Sequence, residues 1–216
     1  MSGRYFCPTR IKETGVYLRF VFQTRIHGRG GQGVVTAAEL LSVAAFIDGK
    51  FAQAFPSFGS ERTGAPVVAF ARFDDKPIRL REPIFVPHAL IIQDPTLLHQ
   101  VDVFAGVPDD AYILINTRKP WDELGLAEFV ESRNAHRHLT VPATDYALEF
   151  IGKPLPNAAL LGGFAAETRQ VKLESVLEAI EQRFPAKVAA ANIAAAQAAH
   201  DYVVKERETL KEVNHA

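Results

Sequence analysis

Four glycines fall within six residues at Gly28-Arg29-Gly30-Gly31-Gln32-Gly33, between a β-prone segment and a helix-prone one. Upstream, Val16 to His27 reads as a strand: Leu18, Phe20 and Phe22 alternate, and Tyr17, Val21 and Ile26 add β-formers. Downstream, Val34 to Ile47 (VVTAAELLSVAAFI) carries helix formers and an apolar face, and it stops at Asp48-Gly49, where glycine suits a helix end. A strand, a glycine turn and a helix in direct succession open an α/β unit. Such a turn brings backbone N–H groups together with the positive end of the helix, an arrangement that receives anions.

The spacing Gly28-x-Gly30-x-x-Gly33 fits the dinucleotide fingerprint. That fingerprint also needs an acid about 20 residues further on, at the end of the next strand, to hold ribose hydroxyls. The next strand candidate, Phe51 to Phe55, closes on Pro56-Ser57 without a carboxylate, and Asp48 lies ahead of it beside the helix stop. The residues leave three readings open. The loop is a packing turn, a stand-alone Rossmann-like nucleotide site of an oxidoreductase, or a surface for an anion, an amide or a partner subunit.

Further strands follow. Val67 to Phe73 is apolar and β-prone, and Ala89 to Gln93 (ALIIQ) and Ala111 to Ile115 (AYILI) are continuous apolar runs of the kind buried on both faces of a sheet. Leu139 to Pro142 is a shorter one. Asp94-Pro95-Thr96 reads as a turn into a helix with proline at its first position. Strands separated by helical stretches predict an α/β fold, with a doubly wound, mainly parallel sheet and helices on both faces. The stretch from Phe51 to Phe73 is the candidate source of antiparallel strands. The last third is helical and forms a C-terminal extension. Asn157 is placed to cap AALLGGFAAET, Leu173 to Phe184 is amphipathic, and Lys187 to about Val213 is alanine-rich, suited to docking closely on another surface. The expected organisation is a leader over 1–16, a domain over 17–203, and a helix end and tail over 204–216.

Composition narrows the function classes. Apolar residues make up 48% of the 216 and charged residues 23%, enough for a core of ordinary size. A net charge of -1 points to neither nucleic acid nor an anionic membrane as partner. No stretch reaches the roughly 18–20 apolar residues of a membrane span, and no signal-peptide pattern opens the chain, so a cytoplasmic address is expected. The single cysteine, Cys7, cannot form an internal disulfide or ligate an iron–sulfur cluster unaided. His136 and His138 share one strand face but lack a recognisable third ligand, so no metal site is expected. His27 is expected to be an ordinary hydrogen-bonded strand-end histidine, Thr117-Arg118-Lys119 a solvated loop and Trp121 a packing residue.

A second feature is the polar loop Ser57-Phe58-Gly59-Ser60-Glu61-Arg62-Thr63-Gly64. Loops of this length beside a glycine turn, at the carboxyl ends of strands, are where ligands are contacted in α/β sheets. Glu61 and Arg62 read as a charged pair or as a clamp for a carboxylate or phosphate.

Together the two loops resemble the gamma subunit, or fused gamma domain, of the pyruvate:ferredoxin and 2-oxoacid oxidoreductase family. The G-x-GGQG loop is Gly28 to Gly33, and Phe58 to Val67 is similar to the family's Phe-Gly form of its second landmark. Thr63 stands where an arginine is common. Leu90 to Asp94 is similar to the family's strand ending in an acid, and Asn157 to Gly163 to its helix with Leu-Gly-small. The helices from Leu173 and Lys187, the latter with Asn192, are similar to its C-terminal pair. The similarity spans about residues 18 to 203.

The resemblance implies a catalytically inert subunit of an enzyme that decarboxylates a 2-oxo acid oxidatively to an acyl-CoA. Electrons pass to ferredoxin or NAD. It implies partners: alpha and beta subunits holding thiamine diphosphate and Mg, a ferredoxin-like subunit holding 4Fe-4S clusters, and in some enzymes a flavin or NAD subunit. No cofactor is expected on this chain alone, with coenzyme A shared at an interface. Candidate substrates are pyruvate, branched-chain 2-oxo acids, 2-oxoglutarate, oxalate, indolepyruvate and phenylglyoxylate. The residues expected at the interface or on coenzyme A are Gly28, Gly30, Gly31, Gln32 and Gly33 from the first loop and Ser57, Gly59, Glu61 and Arg62 from the second, with no catalytic or metal-binding residue.

Overall fold

One sheet carries all the named strands, in the order β2-β3-β1-β4-β5-β6. They are β1 Phe22–Arg29, β2 Phe51–Pro56, β3 Pro66–Asp74, β4 Ala89–Ile92, β5 Tyr112–Asn116 and β6 His138–Val141. The computed structural model describes residues 21–57, 63–133 and 137–213; the leader, Gly59, Glu61, Arg62 and His136 lie outside them. β1, β4, β5 and β6 pair in parallel, and β3 runs antiparallel between β1 and β2. Since β2 and β1 both oppose β3, five strands point one way and only β3 reverses. The sheet is mainly parallel, as expected, and the antiparallel pairing falls in the 51–73 stretch that was its candidate.

The winding is double. After β1 the chain crosses through helix α1 (Val34–Ile47) toward β2, while after β4 it steps the opposite way to β5 and β6. Alternate side chains of the central strands therefore enter two cores. Ile26, Ile91 and Leu114 join α1, α4 (Asn157–Thr168), α5 (Leu173–Arg183) and α6 (Ala186–Val213) in the larger one. Leu90, Ile92, Ile113 and Ile115 face the smaller one, with Leu97 from the 3-10 turn Pro95–His99 and Phe129 from α2 (Ala127–Glu131). Trp121 packs against this second core, as expected.

A strap over residues 75–88 crosses the second face and is pinned by side chains of the sheet. Arg25 donates to the carbonyl oxygens of Ile84 and Phe85, and also to those of Val103 at 3.0 Å and Ala105 at 2.7 Å. Arg72 donates to Glu82 O at 2.6 Å, and Gln53 to Ile78 O at 3.1 Å.

The C-terminal helices pack within the chain. Every residue of α4 is buried, and its Gly162 lies against the backbone of α6: a Cβ there would sit 1.9 Å from Ala196 O. The alanines of α6 thus find their close partner surface in α4 of the same chain, through Ala195, Ala196 and Ala199. α6 runs unbroken from Ala186 to Val213, the extent the alanine-rich stretch predicts. Asn157 is not the cap of α4. Pro156 holds that position, Asn157 is the first helical residue, and its buried amide turns instead to Gly33.

Between β6 and α4 the chain makes a short helix, α3 (Ala143–Tyr146), and one turn of π-helix over Ala147–Ile151. Asn116, at the end of β5, ties this connection down: its side chain accepts from Thr144 N at 2.9 Å and donates to Thr144 Oγ1 at 2.8 Å and to Gln93 O at 2.7 Å.

Candidate functional site at the topological switch point

The chain leaves β1 and β4 in opposite directions, and the crevice this opens at their carboxyl ends is where α/β sheets take ligands. The glycine loop lies there. β1 runs two residues past the expected end at His27, so Gly28 and Arg29 belong to the strand and the turn proper is Gly30 to Gly33. Gly31 and Gly33 have φ of 95° and 72°, left-handed values that favour glycine. A Cβ on Gly33 would also meet the Asn157 amide at 2.6 Å, so this glycine is required twice, by its backbone and by the approach of α4. Gly33 caps α1 without any side-chain hydrogen bond, and among the described residues no side chain accepts from the first-turn N–H groups of α1.

The two loops meet. Gly30 N donates to Ala65 O at 2.9 Å and Gly64 N to Gly30 O at 3.0 Å, and Gly30 bridges Thr63 in parallel fashion. Ser57 begins the second loop from β2, with its N–H on Val68 O at 2.8 Å. The structure therefore brings the end of the second loop against the first. Of the residues proposed from sequence, Gly28, Gly30, Gly31, Gln32 and Gly33 share this corner.

Their support is Asp94, two residues beyond the end of β4. Its side chain accepts from Arg29 Nε at 3.0 Å, Gln32 Nε2 at 2.9 Å and Thr96 N at 3.0 Å, and from the Thr96 hydroxyl. Burial alone would raise the Asp94 carboxyl; the hydrogen bonds from Thr96 and Gln32, with the charge of Arg29, outweigh it and hold the group below the usual carboxylate value. Arg29 spends the rest of its guanidinium on Gly64 O at 3.0 Å, Thr96 Oγ1 at 2.6 Å and Gln100 Oε1 at 2.8 Å. Gln32 is equally occupied, its Oε1 accepting from Arg29 N at 2.8 Å. Both side chains brace the loop. Asp94 reads in the sequence as a turn residue and a family-like strand end, and its bonds to Thr96 are local; Arg29 and Gln32 lie more than 60 positions away, and no local pattern announces them.

Gln93 and His27 are the other polar groups of this end. Gln93 is 1% exposed, and neither atom of its amide has a hydrogen-bond partner among the described residues. His27 is buried, and its Nε2 has none either, which departs from the ordinary hydrogen-bonded histidine expected there. Burial first, then the charge of Arg25, pushes its pKa to about 4, so it is neutral at pH 7. His138 is buried beside Trp121 and Phe129 and, for burial above all and then Arg133, also falls to about 4. Among the described residues no group of three potential metal ligands converges.

The geometry does not suit a stand-alone dinucleotide site. β3 separates β2 from β1, so the end of the strand that would carry a ribose-binding acid is displaced from the crevice by a whole strand. Asp48 is committed elsewhere: its carboxylate accepts from Lys172 N at 2.8 Å and Ser175 Oγ at 2.6 Å, serving the start of α5.

The sequence matches the family model described as pyruvate ferredoxin/flavodoxin oxidoreductase over residues 23–202. The chain belongs to this family. Among its relatives, pyruvate synthase subunit PorC of Methanosarcina barkeri is 52% identical over 158 residues, 73% of this chain and 84% of that one. The pyruvate/ketoisovalerate oxidoreductases common subunit gamma of Pyrococcus furiosus is 45% identical over 181 residues, 84% of this chain and 96% of that one. The crystal structure of pyruvate oxidoreductase subunit PORC from Thermotoga maritima superposes with a TM-score of 0.69 at 35% identity, covering 84% of this chain and 96% of that one. The family match begins within β1 and ends in α6, so it takes in the whole sheet and both loops. No helix among the described residues is long and apolar enough to cross a membrane.

Proposed function

We propose that this chain is the non-catalytic gamma subunit of a 2-oxoacid oxidoreductase that forms an acyl-CoA, with pyruvate the first substrate to test and a branched-chain 2-oxo acid the second. The substrate order follows the names of the relatives, pyruvate synthase and pyruvate/ketoisovalerate oxidoreductases. The observation that carries the assignment is the joined pair of loops at the switch point of a sheet that the family model covers from β1 to α6. The iron–sulfur clusters belong to another chain, because Cys7 is the only cysteine here. Thiamine diphosphate and Mg are assigned to the alpha and beta subunits, and the assembled complex to the cytoplasm. Ferredoxin is the acceptor to test first, the family description naming ferredoxin and flavodoxin together.

The corner fits a portion of coenzyme A. Among the described residues the first turn of α1 has no side-chain cap and a Cβ on Gly31 would meet nothing within 4 Å, which favours the approach of a phosphate to the backbone there. Bound coenzyme A supplies the thiol that accepts the acyl group. The chain's part is to hold and orient it between subunits, with Gly30 to Gly33 as the described contact surface and Glu61 and Arg62 as the charged groups the sequence offers for the same ligand.

Arg62→Ala in the assembled complex tests this reading. Loss of a charge-assisted contact to an anionic ligand raises KM for coenzyme A about tenfold and leaves KM for the 2-oxo acid alone. If both constants and the subunit stoichiometry are unchanged, the corner does not contact coenzyme A.

A further inference from the structure

We infer that Asp94 is a positioning residue for the corner: working through Arg29 and Gln32, it sets how the Thr63–Ala65 end of the second loop is held against Gly30. It rests on the reading of this corner as the functional face. Among the described residues the hydrogen bonds of Asp94 go to Arg29, Gln32 and Thr96, and none goes to Thr63, Gly64 or Ala65. It holds Arg29 by Nε, and Arg29 in turn reaches Gly64 O with a different nitrogen. It holds Gln32 by Nε2, and the other end of that amide receives Arg29 N. One carboxylate thereby orients two side chains, and that of Gln32 is tied in turn to the main-chain N–H of Arg29. The backbone pairs Gly30 N–Ala65 O and Gly64 N–Gly30 O lie inside the frame they make.

The carboxylate suits this role because all of its bonds are received. One oxygen takes Arg29 and Gln32 while the other takes Thr96 N and the Thr96 hydroxyl. An amide of the same shape keeps a single acceptor, so in Asp94→Asn an NH2 group faces donors whichever way it turns. The side chain of Asp94 is 12% exposed and that of Arg29 21%, so water replaces the lost bonds only in part. Arg29→Lys is the complementary change. It keeps the charge beside Asp94 but lacks the planar fork that reaches Gly64 O and Gln100 Oε1 together.

The test is hydrogen exchange of the full-length protein, with the amides of Leu90 to Ile92 and Ile113 to Ile115 as the reference for global opening. In Asp94→Asn the Gly30 and Gly64 amides exchange roughly tenfold or more faster than in wild type, beyond any change in the reference amides, and in Arg29→Lys the Gly64 amide follows. If the two glycine amides accelerate no more than the reference ones, Asp94 contributes to stability alone and the inference is overturned. The same variants in the assembled complex report separately on the function. A raised KM for coenzyme A with kcat and KM for the 2-oxo acid kept supports both readings. Loosened amides with an unchanged KM for coenzyme A and unchanged assembly leave the positioning role standing and remove the coenzyme reading of the corner.

Discussion

Gly162 and Gly163 are adjacent in α4 and should respond to alanine in opposite directions. A Cβ on Gly162 lies 1.9 Å from Ala196 O, 2.6 Å from its carbonyl carbon and 2.9 Å from its Cα, all backbone atoms of α6 that no rotamer change can move. To reach the 3.4 Å of ordinary contact, α6 has to retreat by about 1.5 Å, which opens an interface where Ala195, Ala196, Ala199 and Val203 are fully buried. Overpacking of this kind costs about 1–3 kcal/mol, and the loosened helix pair loses dispersion contacts as well. Alanine recovers about 1 kcal/mol of helix propensity. The net loss is placed at about 2 kcal/mol, or roughly 4–8 °C in Tm for a chain of this size. At Gly163 the nearest atoms are the ends of side chains, Val203 Cγ2 at 3.4 Å, Leu114 Cδ2 at 3.5 Å and Val141 Cγ2 at 3.7 Å. There the propensity gain survives, and Gly163→Ala is neutral or raises Tm by a degree or two. Thermal and urea unfolding followed by circular dichroism measure both. A Gly162→Ala protein as stable as wild type, or a Gly163→Ala protein that loses more than Gly162→Ala, refutes the close approach of α4 and α6.

Other outcomes follow from buried charges. Glu167 is buried and burial lifts its pKa to about 7 in spite of Arg207, Arg137 and Arg169, so its contribution to stability is complete below about 4.5 and declines as pH rises through 7. Glu167→Gln is therefore more stable than wild type at pH 8, by up to about 3 kcal/mol, and equal to it near pH 4.5; a variant less stable at pH 8 contradicts this. His27 and His138, both lowered to about 4, act in the other sense, with stability complete above about 6.5 and lost as pH falls toward 4. Replacing His138 with Phe should flatten the acid limb of the stability profile between pH 6.5 and 4, and an unchanged slope counts against the assignment. Arg25→Met frees the carbonyl oxygens of Ile84, Phe85, Val103 and Ala105, costs about 2–4 kcal/mol, and exposes 84–86 and 103–106 to limited proteolysis; unaltered cleavage excludes Arg25 as the pin of the strap.

The fold was legible where pattern and position agree. α1 runs over Val34–Ile47 as its apolar face and the Asp48-Gly49 stop predict, and β4 and β5 follow their unbroken apolar runs to within a residue. What the pattern does not carry is partnership. Asn157 looks like a cap by its place before an alanine run, yet Pro156 already supplies the turn and the amide is drawn to the space over Gly33. The alanines of α6 advertise close packing without saying on what, and Gly162 answers from another helix. Similarly, the glycine loop is visible from spacing alone, but the frame of Arg29, Gln32 and Asp94 joins residues up to 65 positions apart. Gln32 is the clearest case. Its place between two glycines suggests a ligand-facing amide, and its hydrogen bonds to Arg29 N and Asp94 make it a brace.

The central claim is that this chain works inside a complex, and affinity purification of the tagged full-length chain from its native cell, followed by mass spectrometry, tests it most directly. The account predicts that a thiamine diphosphate-binding chain and a cysteine-rich iron–sulfur chain co-purify in fixed proportion, and that the preparation reduces ferredoxin when given pyruvate and coenzyme A. A chain recovered alone, with no such partners and no such activity, contradicts it.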